Sequence, residues 1–249
     1  KGRITPPLCQ AVPLLAKAAS FCYNMGMLGT LYMVGTPIGN LEDMTFRAVR
    51  ILQSVQVIAC EDTRVSKRLL DHYAIQKPLV ACHEHSHEAA HARLIERLRT
   101  GASIAYISDA GTPGVNDPGG KLVAAAFAAS IKVETIPGPS ALTAAISVCG
   151  FPMDEFVYLG FVPHKKGRET MFREIAARPT PSACFESTHR IEKTLAALAK
   201  VLDPGRVICV GRELTKLHET IYRGSIDEVQ KALQATSTKG EFVVIIGPA

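Results

Sequence analysis

Short apolar runs alternate with helix-like segments along most of the chain. Five runs in the first part have the length and composition of strands buried on both faces of a parallel sheet. They cover residues 31–34, 55–60, 79–82, 103–107 and 133–136. Between them apolar positions recur at helical spacing, so that Phe46, Val49 and Leu52 are predicted to share one face, as are Leu94 and Leu98. The pattern predicts a mostly parallel five-stranded sheet with crossover helices.

A second alternation of strands and helices follows a break at Gly150 and Pro152. Its predicted strands cover residues 156–162, 183–186, 207–210, 219–222 and 242–246, and its predicted helices cover residues 168–177, 191–202 and 226–233. A helix at residues 140–148 precedes the break. We therefore predict an N-terminal α/β domain at residues 29–150 and a C-terminal α/β domain at residues 151–249.

Three turns rich in glycine and proline each follow an apolar run and precede a helix-like segment. They are GTPIGN at residues 35–40, SDAGTPGVNDPG at 108–119 and IPGPSAL at 136–142. Such loops should gather at the carboxyl ends of neighbouring parallel strands, where open α/β sheets bind ligands. We expect a nucleotide-like cofactor there.

The loop spacing differs from GxGxxG, and no Walker lysine follows, so a phosphate-binding loop is not expected. However, Glu61 and Asp62 end the second predicted strand about twenty residues after the first turn, where a dinucleotide enzyme places its ribose-binding acid. A nicotinamide enzyme therefore remains an alternative.

Composition and net charge exclude few classes of protein function. The 249 residues are 47% hydrophobic and 20% charged, which is typical of a folded protein, and the net charge of +5 permits an anionic partner without requiring one. Aromatic residues make up 6% and tryptophan is absent, so the sequence gives no signal for base stacking. The seven cysteines form no CxxC pair and are expected to be reduced thiols in a cytoplasmic protein.

Within residues 1–28, residues 1–23 superficially resemble a secretory signal, with a basic start and an apolar middle. The apolar stretch is too short to span a membrane and is interrupted by Lys17. We expect this segment to be an unstructured or non-native leader, with the natural start at Met25 or Met27, and we expect no membrane partner.

Several motifs occur in one order between residues 31 and 247: LYMVGTPIGNLEDMTFRAVRIL, ACEDTR, SDAGTPGVNDPG, PGPSALTAA, FESTHRIEKTL, RELTKLHETI and KGEF. Together they resemble the ribosomal RNA small-subunit methyltransferase I family, a branch of the tetrapyrrole methylases. The resemblance implies two α/β domains of the tetrapyrrole methylase type, the second smaller and with a mixed sheet. It also implies a homodimer.

The same resemblance implies the activity. Such enzymes use S-adenosyl-L-methionine to methylate the ribose 2′-hydroxyl of a cytidine in the decoding region of 16S ribosomal RNA, acting on the RNA or the 30S subunit. Because S-adenosylmethionine carries no phosphate, the missing Walker lysine agrees with this cofactor. Two alternatives use the same features differently: a tetrapyrrole (precorrin-like) methyltransferase, and a non-catalytic RNA-binding factor in ribosome assembly.

By similarity, the three glycine-proline loops supply the cofactor-binding residues. These are Thr36, Pro37, Ile38, Gly39, Asp109, Ala110, Gly111, Thr112, Pro113, Ser140 and Ala141. The hydroxyl that receives the methyl group is a weak nucleophile, so a proton acceptor should assist. The candidate catalytic residues lie in the EDTR and ESTHR segments and are Glu61, Asp62, Arg64, Glu186, His189 and Arg190.

Each of these assignments has a structural alternative. Asp109 could instead cap a turn. The acids of EDTR could pair with Arg64, and Glu186 could pair with Arg190, as scaffolding rather than catalysis.

Basic residues near the motifs are candidates for contacts with the RNA backbone or are solvated surface. They are Arg64, Lys67, Arg68, Lys165, Lys166, Arg168, Arg190 and Lys193. The histidines at 83, 85, 87 and 91 lack the pattern of a four-ligand site, so no metal is expected.

Overall fold

The computed structural model describes residues 28–82 and 87–249. The predicted leader lies outside the described residues apart from residue 28, and so do His83 and His85. Across the described ranges, no helix combines the length and apolar character needed to cross a membrane. The five described cysteines are buried free thiols.

Five parallel strands form the first sheet, as the sequence pattern predicted. They are β1 (Thr30–Val34), β2 (Val57–Cys60), β3 (Leu79–Ala81), β4 (Ile104–Ile107) and β5 (Lys132–Ile136). Their order is β3-β2-β4-β1-β5, and every neighbouring pair is parallel. The connecting helices are α1 (Phe46–Ser54), α2 (Thr63–His72), α3 (His87–Arg99) and α4 (Gly119–Ala128). Apolar clusters cover both faces, which explains the near-continuous apolar strands.

The predicted packing face of α1 was wrong at Phe46. The buried residues of this helix are Ala48 and Leu52, whereas Phe46 is 98% exposed. The helix begins at Phe46 because Thr45 caps it, accepting a hydrogen bond from the Ala48 amide at 3.1 Å. At 3.6 residues per turn, Phe46 and Leu52 are separated by about 120° around the axis, so they do not share a narrow face.

The second sheet is mixed, also as expected. It contains β6 (Val157–Phe161), β7 (Ser182–Ser187), β8 (Val207–Arg212), β9 (Thr220–Ser225) and β10 (Glu241–Ile246). The order is β6-β7-β10-β8-β9, in which β6 and β7 are parallel and the other pairs are antiparallel. Four helices accompany it: α5 (Ala141–Cys149), α6 (Arg168–Ala177), α7 (Ile191–Leu198) and α8 (Ile226–Thr236). Helix α7 ends at Leu198, four residues before its predicted end at residue 202.

Helix α5 connects the two sheets. It follows β5 in the chain, yet its buried Ala145 and Cys149 pack in one cluster with Ala183, Cys209 and Ile245 of the second sheet. The third glycine-proline loop, which leads from β5 into α5, is therefore held between the sheets. The division of the chain at residue 150 stays a prediction.

Candidate active-site cleft

The first two glycine-proline loops are joined by a pair of backbone hydrogen bonds. The Thr36 amide donates to the Gly111 carbonyl at 2.9 Å, and the Gly111 amide donates back at 3.1 Å. Gly111 has φ of +79°, a conformation that favours glycine. Thr36 is 1% exposed, and its hydroxyl reaches the Ser108 carbonyl at 3.4 Å. These contacts fix the loop after β1 against the loop after β4.

The third loop packs directly on the first. A Cβ atom placed on Gly138 would lie 2.8 Å from the carbonyl oxygen of Gly35, so the two backbones touch. Thr112 adds a hydrogen bond from its hydroxyl to the Pro139 carbonyl at 3.0 Å. The loops after β1, β4 and β5 thus form one continuous surface at the carboxyl ends of these strands.

This surface is the floor of a cleft of about 370 Å³ between the two sheets, within the usual range of about 300–1,000 Å³ for small-molecule sites. Seven of the eleven predicted cofactor residues line it: Ile38, Asp109, Ala110, Gly111, Thr112, Ser140 and Ala141. The other four do not line it and are Thr36, Pro37, Gly39 and Pro113. Thr36 and Pro37 are buried and support the floor.

The EDTR segment lies at the edge of this floor. Glu61 lines the cleft, whereas Asp62 caps helix α2 and accepts hydrogen bonds from the Arg64 amide at 2.8 Å and its guanidinium at 2.6 Å. The Arg64 hydrogen bonds hold the pKa of Asp62 well below its usual range. Asp62 and Arg64 therefore form the ion pair that the scaffolding interpretation anticipated. The Asp62 amide also donates to the Asp109 carboxylate at 3.0 Å, which ties EDTR to the second loop.

The ESTHR segment is organised around a buried carboxylate. The side chain of Glu186 is fully buried and accepts from the Ser187 amide at 2.7 Å, the Thr194 hydroxyl at 2.6 Å and the Arg190 guanidinium at 2.8 Å. Arg190 also donates to the Val162 carbonyl at 2.7 Å. His189 is exposed and does not line the cleft. This arrangement fits scaffolding: it satisfies both oxygens of Glu186 and directs Arg190 inward.

Sequence reasoning missed the wall that the second sheet contributes. Cleft residues without a predicted assignment are Ser108, Val115, Asn116 and Asp117 of the second glycine-proline loop, and Phe161, Phe185, Ser187, Leu214, Lys216, Glu241, Phe242 and Val243 of this wall. Two sequence motifs could have indicated this wall. Leu214 and Lys216 belong to RELTKLHETI, and Glu241 and Phe242 belong to KGEF. Neither motif had been assigned to the site.

Acidic groups dominate the charge of the cleft. Among the described residues that line it, five are acidic, namely Glu61, Asp109, Asp117, Glu186 and Glu241, and one, Lys216, is basic. Lys216 is paired with Glu213 at 3.0 Å and Glu241 at 2.8 Å. The cleft therefore suits a cationic ligand better than a pyrophosphate, which argues against the nicotinamide alternative.

The basic residues near the motifs differ in whether their charged groups are exposed and unpaired or already engaged with other side chains. Lys165 and Lys166 are exposed in the loop before α6. Arg64 and Lys67 are exposed but paired with Asp62 and Asp71. Arg68 and Lys193 are also exposed, whereas the Arg168 guanidinium donates a hydrogen bond to the Thr194 hydroxyl at 2.9 Å. In the part of the chain that the structure describes, no group of three His, Cys, Asp or Glu residues is arranged to hold a metal ion.

Comparison with solved structures identifies the fold. Uroporphyrin-III-C-methyltransferase from Thermus thermophilus has a TM-score of 0.62 at 20% identity, covering 88% of this chain and 94% of that one. Cobalt precorrin-4 methyltransferase gives 0.65 at 16% identity, with coverage of 88% and 94%. A second Thermus structure, complexed with S-adenosyl homocysteine, gives 0.60 at 20% identity, with coverage of 88% and 97%.

Sequence comparison identifies the family more narrowly than the comparison of folds does. Residues 30–230 match the family described as Tetrapyrrole (Corrin/Porphyrin) Methylases. Ribosomal RNA small subunit methyltransferase I from Xylella fastidiosa (strain Temecula1) is 44% identical over 225 residues, covering 89% of this chain and 82% of its own. The protein of that name from Escherichia coli O157:H7 is 43% identical over 221 residues, with coverage of 88% and 77%. The chain belongs to the ribosomal RNA small subunit methyltransferase I family, a methyltransferase branch of the tetrapyrrole methylases.

Proposed function

We propose that this protein uses S-adenosyl-L-methionine to methylate the ribose 2′-hydroxyl of a cytidine in the decoding region of 16S ribosomal RNA. The observation that carries the cofactor assignment is the acidic cleft built on three glycine-proline loops that lack a phosphate-binding motif. The names of relatives that are 42–46% identical support RNA of the small subunit as the substrate. We place the protein in the cytoplasm, because that is where it would encounter small-subunit ribosomal RNA.

The residues present fit this cofactor. S-adenosylmethionine supplies an electrophilic methyl group on a positively charged sulfonium when it is bound. Asp109 and Glu61 place carboxylates at the floor of the cleft, where they would favour the positive charges of the sulfonium and the amino group. Backbone groups of Ala110, Gly111 and Ser140 line the same floor and would hold the polar ends of the molecule.

For the proton of the ribose hydroxyl we propose Glu61 as the acceptor. Of the six candidate catalytic residues, Glu61 and Glu186 line the cleft. Glu186 is fully buried and accepts short hydrogen bonds and an ion pair on its two oxygens, whereas Glu61 is partly exposed and accepts from the Asp109 amide at 3.5 Å. Asp62 is a weak base because its pKa is held low by Arg64. Asp62, Arg64, Glu186 and Arg190 would then position the site, and His189 would lie outside it.

The two alternative functions, a tetrapyrrole methyltransferase and a non-catalytic RNA-binding factor, explain fewer of these observations. Solved uroporphyrin-III-C-methyltransferase and cobalt precorrin-4 methyltransferase structures are 16–21% identical to this chain, which supports a common fold but not a common substrate. A non-catalytic RNA-binding factor would need the basic surface but not an organised cofactor cleft. The exposed Lys165 and Lys166 would contact RNA phosphates equally well in an RNA methyltransferase and in an RNA-binding factor.

The assay that tests the proposal uses labelled S-adenosylmethionine and small ribosomal subunits that lack the modification, followed by nuclease digestion and mass mapping. We expect 2′-O-methylcytidine in the decoding region. Asp109→Asn should lower methyl transfer at least tenfold, because it removes a negative charge from the floor while an oxygen remains to accept from the Asp62 amide. Asp154→Asn, an exposed change outside the cleft, is the matched control.

Each alternative has its own result in this assay. Cofactor binding without label in RNA would favour a tetrapyrrole substrate, and the absence of cofactor binding would favour the RNA-binding factor. A label on a base or on another nucleotide would contradict the proposed 2′-hydroxyl of cytidine.

We also propose that the protein acts as a homodimer. Phe46 is 98% exposed and Leu217 is 94% exposed, and their near neighbours Thr45 and Thr215 line one hollow. Two large apolar side chains that are almost fully exposed suit burial against a second copy of the chain. Sedimentation should give two copies per particle for the native protein and mainly one for Phe46→Glu/Leu217→Glu. The exposed Phe127→Glu change should leave the dimer intact, and equal behaviour of the two variants would contradict this interface.

A further inference from the structure

Three aromatic side chains gather at the wall of the cleft, although composition alone does not indicate base stacking. The Tyr158 and Phe185 ring centroids are 5.2 Å apart, and those of Phe161 and Phe185 are 5.5 Å apart, both pairs in edge-to-face geometry. Phe161 and Phe185 line the cleft. The cluster belongs to strands β6 and β7 of the second sheet, opposite the proposed cofactor floor.

A β-bulge produces this cluster. Tyr158 pairs with Ala183 and Phe161 pairs with Phe185, so three steps along β6 correspond to two steps along β7. Successive side chains of a regular strand alternate between its faces, so Tyr158 and Phe161 would otherwise point in opposite directions. Gly160, with φ of +67°, allows the extra residue. The bulge therefore turns Phe161 onto the face that carries Phe185.

The inner part of the cluster is fixed. The Tyr158 hydroxyl donates to the Asn116 side chain, which lines the cleft from the second glycine-proline loop. Burial raises the pKa of Tyr158 to about 12, so the hydroxyl remains a donor at neutral pH. Phe185 packs between Tyr158 and Phe161 and is partly buried.

Phe161 is the exposed end of this edge-to-face cluster. It is 51% exposed, an unusual state for a phenylalanine that is held in place by packing on another ring. Four residues later the chain reaches Lys165 and Lys166, which are exposed. Single-stranded RNA is typically bound by aromatic rings that stack on bases beside cations that contact phosphates, and both elements occur together in the segment FVPHKKGR.

We propose that Phe161 stacks on the nucleobase of the nucleotide that receives the methyl group, once that base has left the RNA stack. Lys165 and Lys166 hold the adjoining phosphates. The inference rests on the proposed RNA methyltransferase function and assigns the substrate-positioning residue to the second sheet. A nucleotide turned out of the RNA would place its base against this ring, and the ring would then set the distance of the ribose from the floor.

The test compares methyl transfer to unmodified small subunits by the wild-type protein and by Phe161→Leu, Phe161→Tyr and Phe127→Leu. We expect kcat/KM to fall about tenfold in Phe161→Leu, because leucine is apolar but cannot stack. Phe161→Tyr keeps the ring and should stay within about twofold of the wild type. Phe127 is an exposed phenylalanine outside the cleft, so Phe127→Leu should have no effect.

Binding of S-adenosyl homocysteine, measured by calorimetry on the same proteins, separates the cofactor from the RNA. Unchanged affinity in Phe161→Leu is expected. If this affinity fell as much as kcat/KM, the ring would serve the cofactor and the proposal would be overturned. Equal kcat/KM for Phe161→Leu and Phe127→Leu would also overturn it while leaving the proposed function intact. A wild-type protein that labels no RNA would instead remove the proposed function, and this inference with it.

Discussion

Replacing Gly138 by alanine is expected to reduce methyl transfer by about a hundredfold or more. The new Cβ would lie 2.8 Å from the carbonyl oxygen, 2.9 Å from the carbonyl carbon and 3.0 Å from the Cα of Gly35. These are backbone atoms, which cannot rotate away as the end of a side chain could. The loop after β5 must therefore shift away from the loop after β1. A displacement on the order of 1 Å at reacting groups is enough for such a loss.

Gly120→Ala is the matched control for this change. Gly120 belongs to α4, and a Cβ there would meet nothing within 4 Å, so activity should be unchanged. Affinity for S-adenosyl homocysteine, measured by calorimetry, should fall with activity in Gly138→Ala and stay constant in Gly120→Ala. Wild-type affinity in a folded Gly138→Ala protein would show that the contact between the two loops does not shape the cofactor site.

Replacing Glu186 by alanine should lower the free energy of unfolding by about 3–5 kcal/mol. The substitution leaves Arg190, whose side chain is 14% exposed, without its carboxylate, and it removes the acceptor of the Ser187 amide and the Thr194 hydroxyl. An uncompensated buried charge costs much more than the loss of a surface pair. Urea unfolding followed by circular dichroism measures the difference.

Two further variants separate the buried pair from a general effect of losing a glutamate. Glu174→Ala, an exposed change on α6, should alter the free energy of unfolding by no more than about 0.5 kcal/mol. The double variant Glu186→Gln/Arg190→Met should recover part of the loss, because no buried charge then remains. If Glu186→Ala were as stable as Glu174→Ala but inactive, the carboxylate would act in catalysis rather than as scaffolding.

The first sheet shows how much the local pattern determines. Strands buried on both faces must be apolar along their whole length, and their bounds in the structure differ from the predicted ones by a residue or two. The glycine-proline loops could be placed at one edge because the carboxyl ends of parallel strands meet there. Ile38, Asp109 and Ser140 accordingly lie in one cleft.

The sequence was less informative where a position depends on contacts between distant segments. A helical spacing did not reveal that Phe46 is left in solvent, and the motif ESTHR did not reveal that Thr194 and Ser187 occupy the Glu186 oxygens. Such outcomes depend on what packs against a residue. That information is spread over residues far apart in the chain.

Taken by itself, the sequence determined the alternation of strands and helices, the parallel first sheet and the edge at which the glycine-proline loops meet, because each follows from the local period of apolar residues and from loops that favour glycine. Only the tertiary structure decided the acidic balance of the cleft, the pairing of Lys216 with Glu213 and Glu241, and the bulge that turns Phe161 toward Phe185. Charge balance and side-chain direction arise when separate strands come together, and no single stretch of sequence specifies them.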